Sequence, residues 1–498
     1  MAVVAVTVPD AEVESAAPVD ELAQLIQRCS ALEVENEGVR GEVSRLLSEN
    51  ERLRGRVAKL EGQLEEARRA GKRQAAPFSR GKRSQDPDRP GRRSGDGHGR
   101  HAHREPPEEF DEQHEAPLGD RCECGGEILE VRVEYQFQDE LPEPRRVRRR
   151  FAVHIGTCGC CGRRHQGRHP FQTSDALGAA GCMLGPRAVA LATQFNKELG
   201  LSPQKTAKAL ARFGIQITAG GVVQAIARQA RRLEPTYQAL IEGVRSSPAV
   251  APDETGWRIS GAKAWLWAFA GDNVTVYLIA EGRGYEHAAE ILGEDYPGVL
   301  ERDGWAPYRQ FTVGRHQTCY AHLLRRASEL IGDSIAGQAR VPHTTGRILK
   351  DALALRQQRD DGVIDADEFG LKVTELEQRT DRLLAMRPTH DPNRRLLGHL
   401  RTEREHMFTF LTEPGVQATN WRAEQALRPA IVNRKNWGGN RTWHGARIQQ
   451  ITMSVIRTAR QQNLDPIELM AAAQRTREPT VSDAITLPAR ASPTALAA

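Results

Sequence analysis

Three acidic residues stand where they could do chemistry together. Asp253 lies in Pro252-Asp253-Glu254-Thr255-Gly256-Trp257, at the end of the apolar run Ala249-Val250-Ala251, which reads as a strand. Asp303 closes a second strand-like run, Gly298-Val299-Leu300-Glu301-Arg302. Glu424 sits far downstream on a helical stretch, Asn420 to Arg428. Carboxylates on separate elements offer the hard oxygen ligands that Mg²⁺ or Mn²⁺ takes. Two ions held about 4 Å apart in this way serve phosphodiester chemistry: one activates the attacking hydroxyl or water, the other stabilises the leaving oxygen. Acidic residues are common in this chain, so spacing alone does not single out these three.

The elements that must position them are legible nearby. Ala264–Ala270 and Val274–Ala280 read as strands of an antiparallel meander that begins with the Asp253 strand. A helical pattern follows from Glu286 to Leu292. Residues 323–415, between the second Asp and the Glu, are charged and mostly helical and read as an insertion outside the sheet. Cys319 and His322 are one helical turn apart, a spacing that serves packing or a metal. Past Glu424, the cations Arg428, Arg434, Lys435 and Arg441 suit DNA phosphates. Trp437 and Trp443 suit base stacking or packing. Ile448 to Arg460 reads as an amphipathic helix, and Leu464-Asp465-Pro466 opens a last short one.

The flanking strings are more specific than the acids. Residues 423–437, from Ala423-Glu424-Gln425 to Lys435-Asn436-Trp437, resemble the closing signature of insertion-sequence-66 transposases, a DDE family. Pro252-Asp253-Glu254-Thr255 and Arg302-Asp303-Gly304-Trp305-Ala306 resemble its two earlier blocks, and Ala75 to Arg83 resembles one near the N-terminus. The resemblance runs in order from about residue 20 to 475. It implies an α/β fold with an RNase H-like catalytic core and a helical insertion, dependence on Mg²⁺ or Mn²⁺ (two ions), and DNA as substrate. Asp253, Asp303 and Glu424 are then the catalytic metal ligands. The double-stranded DNA partners are the element's terminal inverted repeats and the target. Family elements often encode accessory proteins nearby, so such partners are expected too. The loop between Trp437 and Gly445-Ala446 departs from the family pattern.

Ahead of this core the chain changes character several times. From Leu22 a heptad runs to Ala67, with Leu22, Cys29, Asn36, Val43, Asn50, Val57 and Leu64 at a and mostly Leu at d. Leu at d, with Asn36 and Asn50 at a, favours a parallel two-stranded coiled coil, hence a homodimer or higher oligomer. Arg- and Lys-rich sequence with Gly, Pro and Ser follows from Arg68. It has few apolar residues to bury, so it is either a solvated linker or an arm in which Arg80, Lys82 and Arg83 contact DNA phosphates. Cys122-Glu-Cys124-Gly125 and Cys158-Gly-Cys160-Cys161-Gly162 flank strand-like runs and read as a zinc ribbon. Cys122, Cys124, Cys158 and Cys161 are the preferred structural Zn²⁺ ligands, with His154 or His165 as substitutes. The family has Cys-x-x-Cys where the first knuckle here has Cys-x-Cys. Residues 184–245 read as helices: Ser202 caps one, Gly214 ends it, and Thr218 caps the next, with Val222, Val223, Ile226 and Ala227 on one face. Packed helices and a DNA-reading helix-turn-helix fit that pattern equally.

These boundaries give a disordered leader (1–19), a coiled coil (20–67), a basic disordered linker (68–118) and a zinc-ribbon-like segment (119–170). A helical, possible DNA-binding region (171–245), the catalytic core (246–475, insertion 323–415) and a disordered tail (476–498) follow. The net charge of +5 is modest, so basic character matters only locally. No apolar run reaches a membrane span, and Asp10, Glu12 and Glu14 argue against a signal peptide. The 8 Cys, partly at metal-ligand spacing, favour a reducing compartment. The expected place is therefore a bacterial cytoplasm, in association with the nucleoid. The competing function is a catalytically inactive DNA-binding regulator that uses only the zipper, arm and ribbon. The acidic triad separates the two.

Overall fold

The computed structural model describes residues 19–71, 106–119, 121–128, 132–141, 146–181 and 183–488. The expected leader, the tail from residue 489 and most of the basic arm, with Arg80, Lys82 and Arg83, lie outside the described residues. Residues 1–73 form one compact unit and residues 74–498 another. The first unit's described residues are a single helix, α1 (Val19–Gly71), which takes in Arg68 and Arg69 of the expected linker. Its Leu25, Leu32, Leu46, Leu53 and Leu60 are all exposed, as are Val43 and Val57.

The described residues of the second unit begin, from residue 106, with irregular chain and a small antiparallel hairpin, β1 (Ile155–Thr157) and β2 (Arg164–Gln166). The next helices are α2 (Pro186–Lys197), α3 (Pro203–Arg212) and α4 (Ala219–Arg245). Their starts follow the sequence signals. Ser202 Oγ accepts from Lys205 N–H with Pro203 at the first helical position, and Thr218 Oγ1 accepts from Gly221 N–H. Val222 and Ile226 of α4 are buried, but Val223 is exposed. Its place is one position (about 100°) round the helix from Val222.

The sheet comprises β3 (Ala249–Ile259), β4 (Ala262–Ala270), β5 (Thr275–Ala280), β6 (Val299–Arg302) and β7 (His316–Thr318), in the order β5-β4-β3-β6-β7. β3, β4 and β5 form an antiparallel meander, while β6 and β7 join in parallel. Helix α5 (Tyr285–Leu292) makes the crossover to β6. This mixed α/β arrangement fits an RNase H-like core. The placement of Asp253 corrects the reading of it as a strand end. β3 continues to Ile259 because it pairs with β4 from Ala251 onward, whereas its pairing with β6 stops at Val250. Asp253 therefore lies mid-strand, just past the point where the pairing of β3 passes from β6 to β4.

The insertion is helical, as expected: α6 (Tyr320–Gly332), α7 (Arg340–Asp360), α8 (Ala366–Leu384), α9 (Asp391–Thr402) and the short α10 (Thr409–Thr412). Leu323, Ile348, Leu376, Leu396 and Phe410 form its own apolar core, which reaches the sheet at Ala249 and Val299. The chain then returns through α11 (Trp421–Trp437), α12 (Trp443–Gln461) and α13 (Pro466–Arg475).

Helix α12 is buried on most sides, not amphipathic as its sequence suggested. Gln450, Ser454 and Thr458 accept from the backbone N–H groups of Ile279, Tyr277 and Thr275, at 3.1, 2.9 and 3.1 Å. Four helical residues rise about 6 Å and two strand residues about 6.8 Å, so every fourth side chain meets every second N–H. The helix thus closes the edge of β5. The tail reading is also corrected in part. Thr486 N–H donates to Gln462, Ser482 N–H donates to Thr236, and Ile485 is buried, so residues 479–488 pack on the body. Two side-chain partners and one apolar anchor suffice to hold this polar stretch. Among the described residues, no helix is long and apolar enough to cross a membrane.

Candidate active site

Strand alternation decides which acids face each other. Ala251 and Asp253 share one face of β3, and Glu254 points to the other. Ala251, Ala270 of β4 and Ala423 of α11 form a small buried cluster. Three methyl-sized side chains let α11 approach the sheet, which brings the next residue, Glu424, to the Asp253 face. The start of α11 is held from several sides. Gln417 N–H donates to Glu301 at 2.6 Å, Asn420 N–H to Cys319 Sγ at 3.4 Å, and Tyr320 N–H to the carbonyl of Ala418 at 2.9 Å. At its far end Arg434 donates to Thr255 Oγ1 and to the carbonyl of Gly256.

Asp303 follows β6 directly, and its Oδ1 accepts from Trp305 N–H at 2.8 Å. Asp253 Oδ1 accepts from Glu254 N–H at 2.9 Å. Burial pushes the Asp253 carboxyl up to about 7, and the charges of Glu254, Asp303 and Glu424 push the same way. The charges of Asp303 and Glu424 thus reach the Asp253 carboxyl. The three side chains do not meet at ligand distance: among the described residues, no group of three or more His, Cys, Asp or Glu is placed to hold a metal. The donor set nonetheless suits a divalent cation, since mutual repulsion of carboxylates in a half-buried site is what such an ion relieves. His322 Nε2 lies 3.9 Å from Glu424 Oε1. Cys319 is buried just before α6 and His322 is half-exposed, so the pair divides between packing and the site edge.

Glu254 and Glu301, next to two of the three acids in the chain, have buried partners of their own. Glu254 is buried, pairs with Arg283 and accepts from Tyr308 OH. Arg283 lies between the rings of Trp305, 3.9 Å away, and Trp265, 5.0 Å away. Burial raises the Glu254 carboxyl, with Tyr308 and Arg283 opposing. Burial likewise pushes Glu301 up to about 7, opposed by Arg422 and by the Gln417 N–H. Asp272 pairs with Arg422. Sequence reasoning missed Arg283 and Tyr308. The only signal for them was the aromatic content of the blocks around Asp303.

Among the expected DNA contacts, Arg428, Lys435 and Arg441 are exposed. Arg434 Nη1 is engaged with β3. Trp437 packs edge-on against Trp257 at 6.0 Å, whereas Trp443 is exposed. In the Cys-rich segment, the Cys122 side chain acts on the Cys124 thiol as a hydrogen-bond partner, and the Cys161 side chain acts on that of Cys158 in the same way. Backbone N–H groups pull Cys124 and Cys158 down from the usual thiol range; the Gly126 N–H leads for the first and the Cys161 N–H for the second. Gly125 and Gly162, at φ +87° and +67°, let the chain turn back over each pair. Each knuckle thus presents two thiols, but among the described residues no third ligand is at hand.

The family model described as "Transposase IS66 family" matches residues 181–448, more than half of the chain, and the chain belongs to that family. The match covers all three acids and the insertion. It leaves out α1, the arm and the Cys-rich hairpin. An uncharacterized protein, y4qI, of Sinorhizobium fredii (strain NBRC 101917 / NGR234) is 25% identical over 303 residues, which cover 52% of this chain and 53% of that protein. The chain spans about half the length of this curated relative.

Proposed function

We propose that this chain is a DNA transposase that cleaves and joins strands at the ends of its element, with Asp253, Asp303 and Glu424 as ligands of two Mg²⁺ or Mn²⁺ ions. One observation supports the reading: burial pushes the Asp253 carboxyl of β3 up to about 7, and the charges of Asp303, after β6, and Glu424, on α11, add to the push. The bound ions would supply charge neutralisation and an ionised oxygen for in-line displacement at phosphorus. The chain's own part is positional. Ala423 seats α11 on the sheet, Trp305 N–H orients Asp303, and the Glu254 N–H orients Asp253. Exposed Arg428, Lys435 and Arg441, on or next to α11, suit DNA phosphates beside the acids. No covalent protein intermediate is needed, so no Ser or Tyr nucleophile is required.

Asp253→Asn, Asp303→Asn and Glu424→Gln should each abolish cleavage and transfer of the inverted repeats flanking the coding region. Binding to those repeats, read by gel shift, should be largely kept. Near-normal cleavage by any one of them removes that residue from the ligand set.

A further inference from the structure

A buried ion pair joins the helical insertion to the turn that carries Asp303. Arg302, the last residue of β6, and Glu403, just past α9, have fully buried side chains, and Arg302 Nη1 donates to Glu403 Oε2 at 2.7 Å. The same Nη1 donates to the main-chain carbonyl of Asp303 at 3.0 Å. Arg302 Nε is spent on His316 Nδ1 at 2.9 Å. Arg309 joins from the other side, with Nη1 3.2 Å from the Gly304 carbonyl and 3.3 Å from Glu403 Oε1. One turn back on α9, His399 packs so closely on Gly304 that an added Cβ would lie 2.4 Å from its ring. The Asp303-Gly304 turn is therefore gripped at both carbonyls by guanidinium groups that Glu403 holds, and its flank is closed by His399.

We infer that Glu403 is a positioning residue for the metal-binding carboxylate of Asp303, and that the insertion is in this way part of the catalytic centre. The inference rests on the reading of Asp303 as a ligand. Glu403 has two effects. It fixes the two guanidinium groups that set the Asp303 turn. It also offsets part of their charge, which would otherwise compete more strongly with a cation for Asp303 across a low-dielectric gap. A plain brace for the fold would have only the first effect and would be indifferent to charge.

The test is Mn²⁺ binding to the full-length protein, read as free Mn²⁺ by electron paramagnetic resonance, so that no DNA chemistry is needed. Glu403→Gln keeps the shape and an acceptor but loses the charge, and should weaken Mn²⁺ binding about tenfold. Glu403→Asp, which retains the charge, should bind closer to wild type. Gly304→Ala pushes on His399 without touching the ion pair and should also weaken binding, which covers the case in which Glu403→Gln fails to fold. Leu396→Ala, in the insertion core, should lower the unfolding temperature and leave Mn²⁺ affinity unchanged. Binding within twofold of wild type in both Glu403→Gln and Gly304→Ala overturns the inference. So does an equal loss in Leu396→Ala. If Asp303→Asn binds Mn²⁺ like wild type, the metal-site reading itself falls, and the positioning role with it.

Discussion

His316 illustrates how a buried side chain's role is set by its partners. Its Nδ1 accepts from Arg302, so the proton must sit on Nε2, which donates to the Phe311 carbonyl at 2.6 Å. A second proton would face the guanidinium. Burial, aided by the charges of Arg302 and His406, pushes the imidazole down to about 4, against the pull of the Phe311 carbonyl and Glu403. The sign follows from linkage. Between the unfolded value near 6.5 and about 4, the unfolded chain binds the proton and the folded chain does not, so this group's contribution is lost as pH falls. From pH 7 to pH 5 the loss is about 2 kcal/mol. Asp253 and Glu301, raised to about 7, act in the opposite direction over that interval. The comparison must therefore be with His316→Gln: wild type should lose about 2 kcal/mol more than the variant in urea unfolding between these pH values. Parallel pH profiles would assign the acid sensitivity elsewhere.

At the scale of elements, α12 makes the most specific demand. Its polar residues are buried because the edge of β5 needs acceptors, and no neighbouring strand supplies them. Ser454 takes the Tyr277 N–H and gives its own hydroxyl proton to the Gln450 carbonyl at 2.6 Å. Ser454→Ala strands that N–H in a buried place, so it should cost about 1–3 kcal/mol in chemical denaturation. A loss under about 0.5 kcal/mol, the range of a surface change, would mean that the edge is satisfied in another way. The same logic explains why periodicity misread the helix. A hydrophobic stripe marks the side that meets apolar groups, but a helix laid along a strand edge must also bury hydrogen-bonding side chains.

At the scale of the molecule, α1 exposes its Leu and Val seam within its own unit. A leucine stripe of this length, interrupted by Asn36 and Asn50, calls for a second copy, and we propose a parallel dimer. The purified chain should sediment as a dimer at micromolar concentration, and Asn36→Leu plus Asn50→Leu should admit higher oligomers. A monomer would end the proposal. Metal analysis of the same preparation should find one zinc per chain, lost in Cys158→Ser plus Cys161→Ser; zinc unaffected by that change would exclude the ribbon assignment.

Much of this protein is written in local sequence. The meander strands, the Ser202 and Thr218 caps and the helical insertion were legible because each depends on residues close in the chain. The family blocks added specificity that spacing lacked. What only tertiary structure decided were relations across long separations. Glu403 meets Arg302 across 101 positions, Tyr308 meets Glu254 across 54, and Arg434 meets Thr255 across 179. No periodicity carries such pairings, because burial of a charge is settled by what packs around it and not by its neighbours in sequence. The same holds for Asp253 and Glu254. They are adjacent in the chain, yet the pleat sends one toward α11 and the other into a buried ion pair, so one can serve as a ligand while the other holds the fold.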